Sequence, residues 1–140
     1  YRWYDTKEIP VQFPFGHGLS YTAFEYTDAK AAKSSMTAAG TLKVSVDVKN
    51  AGACDGAEVV QLYIADSEAS VDRPSKELKG FEKVWLKAGE KKTVTFEIDA
   101  EDLSWFNAEK HEWTAEPGEF KALIGSSSRD IRASVDFRLN

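Results

Sequence analysis

At 140 residues, 42% hydrophobic, 12% aromatic and 29% charged, the chain has the size and composition of one globular domain with its own core. A formal net charge of −5 argues against a nucleic-acid face or an anionic membrane surface, and no run approaches the ~20 apolar residues of a membrane helix. One cysteine, Cys54, and two histidines exclude an internal disulfide and a structural zinc site, and no phosphate loop or cofactor motif occurs.

The first 22 residues carry no strand pattern, yet they are rich in large aromatics. Tyr1-Arg2-Trp3-Tyr4 opens the chain without an initiator Met or signal sequence, and Phe13-Pro14-Phe15-Gly16-His17-Gly18-Leu19-Ser20-Tyr21-Thr22 follows. A disordered tail avoids such residues, so this segment is expected to be covered by something, and the chain reads as part of a longer one. The x-Pro steps predict an extended arm over residues 1–22.

From Phe24 onward the apolar period is two. Phe24–Lys30 is a first strand, and Ala29–Gly40 reads as loop because its apolar content is thin. Leu42, Val44, Val46 and Val48 alternate with polar residues, the mark of a strand with one wet face. Glu58–Asp66 is apolar on both faces and reads as central. Lys76–Leu86 continues, with Gly80 at a bulge or close approach. Further strands are predicted at Thr93–Asp99, around Phe120–Ile124, and over Ile131–Leu139. Asp99–Leu103 predicts one acidic helical turn, and Asn107–Glu112 the tip of a hairpin. About seven short strands with almost no helix predict an all-β, immunoglobulin-like antiparallel sandwich over residues 23–140. Val44, Val46, Leu62, Ile64, Val94, Phe96, Ile124 and Val135 are the expected core.

Four ordered motifs carry a family resemblance. Phe13–Thr22 is one, and Val48–Tyr63 supplies N-x-G-x-x-x-G-x-E-V-V-Q-L-Y as the second. The others are Arg73-Pro74-Ser75-Lys76-Glu77-Leu78-Lys79-Gly80-Phe81, and Pro117-Gly118-Glu119-Phe120 with Gly125–Ile131. Together they resemble the C-terminal fibronectin type III-like domain of glycoside hydrolase family 3 enzymes, chiefly β-glucosidases; Tyr1–Lys7 resembles the segment leaving that family's α/β domain. The resemblance implies a nucleophilic aspartate on an N-terminal barrel and an acid/base on the α/β domain. Neither domain is in this chain, so no catalytic residue is expected here. It also leans toward a secreted or periplasmic protein.

The residue-level readings agree with a non-catalytic role. Glu77, Asp99, Glu101, Asp102, Glu116 and Glu119 all fall on polar faces or in turns, where charge is expected without catalysis. His17, between Gly16 and Gly18, could reach a neighbouring domain, although a turn histidine bonded to backbone is the favoured reading. Trp85 and Trp105 are assigned to core or inter-sheet packing, and Trp113 is the candidate for exposure. Tyr1, Trp3, Tyr4, Phe13, Phe15, His17, Arg73 and Lys76 are the expected contacts with the catalytic domains of the same parent polypeptide. Because the sandwich supplies its own core, the arm is expected to matter little to its stability. The alternative is a module anchoring the parent to cellulose, another glucan or lignin, plant cell-wall polymers that Trp113 could bind by stacking.

Overall fold

The structure, a computed structural model, describes residues 1–140. Helix α1 spans Arg2–Thr6; strands β1 to β6 are Phe24–Ala31, Ser35–Met36, Leu42–Asn50, Gly56–Asp66, Glu77–Leu86 and Lys91–Ile98. Helix α2 is Ala100–Leu103, followed by β7 (Trp105–Asn107), β8 (Glu112–Thr114), β9 (Gly118–Ser127) and β10 (Asp130–Leu139). A three-stranded sheet, β1-β3-β6, packs on a five-stranded one, β2-β10-β9-β4-β5, while β7 and β8 form a separate hairpin. This is the expected all-β sandwich.

Alternation decides which side chains enter the interior. On β3, Leu42, Val44, Val46 and Val48 are all buried between the sheets, and β6 answers with Val94, Phe96 and Ile98. Leu62 and Ile64 of β4 and Ile124 of β9 complete the expected core. Val135 is only half-buried and packs against that core from its edge. Two residues of β5 face one of β4 beside Gly80, because the register slips between Leu62 and Tyr63. A side chain at Gly80 would stand 2.9 Å from the Phe96 ring, so the bulge brings bare backbone onto the opposite sheet.

The acidic turn before α2 is a capping box. Asp99 accepts from the amides of Glu101 (2.9 Å) and Asp102 (3.2 Å), while Asp102 accepts from the Asp99 amide. Asn50 explains the N-x-G motif. Its amide group donates to the carbonyls of Cys54 (2.8 Å) and Leu86 (3.1 Å), and its side-chain oxygen accepts from the Thr22 hydroxyl (2.6 Å) and the Gly52 amide. A single buried side chain thereby ties the end of the arm, a turn and a strand end.

Two segments differ from expectation. Ala29–Gly40 is not all loop: its start belongs to β1, with Ala29 and Ala31 packed against the core, and Ser35–Met36 pairs in parallel with the end of β10, where Met36 is buried, 5% exposed. Residues 1–22 are not an extended arm throughout. Tyr1–Lys7 closes a helical turn, with the Asp5 amide 2.8 Å from the Tyr1 carbonyl. A five-residue helix has no stability of its own, so its shape comes from what holds it.

Candidate functional site

What holds it is the outer face of the five-stranded sheet. On β4, Val60, Leu62 and Ile64 point inward, while Gln61 and Tyr63 point outward and are buried all the same. The arm covers them. The Tyr1 ring lies 4.8 Å from Phe15 and 5.7 Å, edge-on, from Tyr63; its hydroxyl accepts from the Leu78 amide at 2.7 Å. The Tyr63 hydroxyl donates to Gln61, whose amide group donates to the Ser126 carbonyl (2.7 Å) and more distantly to Gly16 (3.4 Å). The Ser128 amide donates to the Phe15 carbonyl at 2.8 Å. Gly16 has φ +79°, and any side chain there would collide with the Gln61 amide. Burial, followed by the nearby Tyr1 and Asp5, pushes the Tyr63 phenol above its ordinary range.

An ionic latch completes the attachment. The Asp5 carboxylate, 5% exposed, takes a hydrogen bond from Arg129 Nε at 2.7 Å and pairs with Lys76 Nζ at 3.0 Å as an ion pair without aligned hydrogen-bond geometry. Burial alone would raise its pKa; Arg129, Lys76 and Ser128 together outweigh this and hold it below the usual aspartate value. Arg129 also donates to the Ile9 carbonyl (2.7 Å), and the Ser75 amide to Thr6 Oγ1 (2.8 Å). Arg73 is committed within the domain. Its guanidinium bonds Asp66 (3.1 Å), Glu77 (2.9 Å) and the Leu103 carbonyl (3.0 Å).

The expected contact residues therefore divide. Tyr1 and Lys76 join the arm to the sandwich, whereas Arg73 is spent on Asp66 and Glu77 and forms no bond to the arm. Trp3, Tyr4, Phe13 and Phe15 leave 64%, 49%, 65% and 48% of their surface in water. His17 is exposed; its amide donates to the Pro14 carbonyl in a turn, and its ring stacks on Phe13 at 5.2 Å. Leu19 and Tyr21, not singled out in the sequence, stand 93% and 102% exposed. Their signal was the spacing alone: no strand pattern accounts for their bulk.

A second exposed group sits on the hairpin, where Trp113 and Phe106 pair edge-to-face at 5.7 Å. Trp113 is exposed as expected. Trp105 is half-buried, but Trp85 is 60% exposed and not in the core: Val84 and Leu86 flank it and point inward, so the pleat turns Trp85 out. A cleft of ≈ 270 Å³ beside Trp113 is lined by Lys79, Asp99, Glu101 and Asp102. Two of those acids are occupied in the α2 cap, and burial pushes Asp102 above its usual value. Elsewhere Glu77 serves Arg73 and Arg2, Glu116 accepts from Ser70 (2.6 Å), and Glu119 pairs with Arg138 (2.6 Å). Five of the six carboxylates named in the sequence, all but Glu101, thus have structural partners.

The fibronectin type III-like domain family matches residues 58–128, from β4 to the β9–β10 turn. The chain belongs to that family. The fibronectin type III-like domain is 53% identical, over its full 140 residues, to thermostable β-glucosidase B of Acetivibrio thermocellus, and covers 18% of that protein. It is 45% identical to an exo-α-(1→6)-L-arabinopyranosidase of Bifidobacterium breve, again over 18% of the relative's length. The crystal structure of a GH3 β-glucosidase from Bifidobacterium adolescentis superimposes with a TM-score of 0.93 at 43% identity, over 99% of this chain and 20% of that one. The domain thus spans about a fifth of the proteins it matches, and those matches include the arm.

Proposed function

We propose that the chain is the fibronectin type III-like accessory domain of a β-glucosidase, a parent polypeptide that hydrolyses terminal β-D-glucosidic bonds. The domain itself performs no chemistry; it stabilises and positions the catalytic domains, which are its partners. One observation carries this reading: an arm locked to the sandwich by its inner side chains while Trp3, Phe13, Leu19 and Tyr21 face outward. Rigid seating of an apolar surface makes a docking face, because the ordering cost is met before the partner arrives. The lengths of the relatives supply the surface that would cover it.

The test places Phe13→Ser, Leu19→Ser and Tyr21→Ser together in the full-length parent. Its first thermal transition should fall by about 5 °C, and limited proteolysis should separate the domain from the rest. An unchanged transition and digestion pattern refutes docking. A second reading, polymer anchoring, draws on the Trp113–Phe106 pair, which is exposed beside polar groups. Retention of the 140-residue chain on insoluble cellulose or lignin, lost in Trp113→Ala, would favour it.

A further inference from the structure

The arm is not the only uncovered apolar surface on the five-stranded sheet. Strand β5 is an edge of that sheet, and its outward residues are Phe81, Lys83 and Trp85. Phe81 and Trp85 are 70% and 60% exposed. Across the ladder they face Gln61, Val59 and Ala57 of β4, and Val59 is itself 36% exposed. An outward sheet face in water ordinarily carries polar residues at these positions. An exposed edge with two large aromatics also invites association, which folded proteins avoid unless something covers it.

This strip runs into the arm without a break. Phe81 stands opposite Gln61, and Gly16 lies directly on the Gln61 amide. A cleft of ≈ 500 Å³ has Gly16, Gly18 and Leu19 of the arm on one wall and Val59 and Lys83 of the strip on the other. Lys83 forms no ion pair within the domain, whereas most other cations around the sheet do: Arg129, Arg132, Arg138, Lys76 and Lys121 each sit within 3.0 Å of a carboxylate. The occupant is indicated by the position of the amino end. Tyr1 packs on Tyr63 and takes the Leu78 amide at the start of β5, so a polypeptide joined to its amino group, such as the part of the relatives outside this match, would begin beside this sheet.

We infer that the β4–β5 strip of Val59, Phe81, Lys83 and Trp85 is the second half of one docking face. With the arm it grips the body of the parent polypeptide that precedes Tyr1, through an apolar surface bearing a hydrogen-bond acceptor for Lys83. The inference rests on the docking role proposed above and adds the strip as an element of it. The cleft receives a projecting side chain or turn from that body, so the two walls close on it from both sides.

Three versions of the full-length parent separate the possibilities: Phe81→Ser/Trp85→Ser, Leu19→Ser/Tyr21→Ser, and the four changes combined. The rate of limited proteolysis at the junction is measured for each, with the melting temperature of the matching 140-residue chain as a folding control. The strip variant is expected to accelerate cleavage about tenfold, a tenfold rise in the undocked population, while leaving the melting temperature of the isolated chain unchanged. The combined variant should be faster still. If the arm variant loosens the junction and the strip variant does not, the strip has no part in docking although the docking role stands. If neither does, the docking role fails as well. Should the strip variant change only the sedimentation coefficient of the parent, the face pairs two copies and the inference is wrong. If Phe81→Ser/Trp85→Ser lowers the melting temperature of the isolated chain, Trp85→Gln alone replaces it under the same criteria.

Discussion

The two sides of the arm differ in how they use the same kinds of residue. On the inner side, Tyr1 and Asp5 each meet a partner far away in the chain, 77 residues to Leu78 and 124 to Arg129. On the outer side, Leu19 and Tyr21 touch almost nothing. The inner side should therefore control the stability of the domain, and the outer side only its association. Stability and docking, though interleaved in one short segment, are separable by substitution.

The strongest test of that separation is deletion of residues 1–20 from the 140-residue chain. Tyr63 and Gln61 would lose their cover, and Lys76 and Arg129 their common counterion. Because the arm is seated on the sandwich, against the small effect expected from sequence, we expect a loss of about 3 kcal/mol, read as a fall in melting temperature on the order of 10 °C. An unchanged melting curve would mean that the arm is not seated. Asp5→Asn is milder, removing the charge but not the side chain, with an expected cost of about 1–2 kcal/mol in urea unfolding. The sign of its pH dependence follows from the lowered pKa of Asp5. The unfolded chain binds the proton more tightly, so the contribution is complete above the ordinary aspartate value and disappears as pH falls through the folded one. As pH falls below the ordinary aspartate value of about 4, the gap between wild type and Asp5→Asn should narrow progressively. A gap that stays constant would assign the latch to packing instead of charge. The smallest effect belongs to the outer side: Phe13→Ser, Leu19→Ser and Tyr21→Ser should each alter the stability of the isolated chain by less than about 0.5 kcal/mol.

The sandwich was legible because strand burial is written locally. Period two along Leu42–Val48 and Thr93–Asp99 names the inward residues without knowledge of their partners. Trp85 was legible by the same rule: between inward Val84 and Leu86 it must face out, but tryptophan's bulk argued for the core and prevailed over the pleat. Glu58–Asp66 read as central because both faces are apolar, and one of the two causes was hidden. β4 does lie inside its sheet, but its outward Tyr63 is apolar because the arm lies on it. The arm's seat could not be read from spacing, since each contact joins residues with no local relation. Tyr1-Arg2-Trp3-Tyr4 announces that aromatics need cover, but not which of them turn inward. Met36 escaped for the opposite reason: a single apolar residue in a polar stretch sets up no period.

The attachment points of the arm have a mechanical consequence. Residues 1–9 are stapled at two separate places, to the start of β5 through Tyr1 and Thr6 and to the β9–β10 turn through Asp5 and Ile9. Two staples remove the freedom to swivel that one would leave. Any polypeptide joined to the amino group of Tyr1 thus inherits the orientation of the sandwich, and a flexible hinge between the two has to lie upstream of this residue.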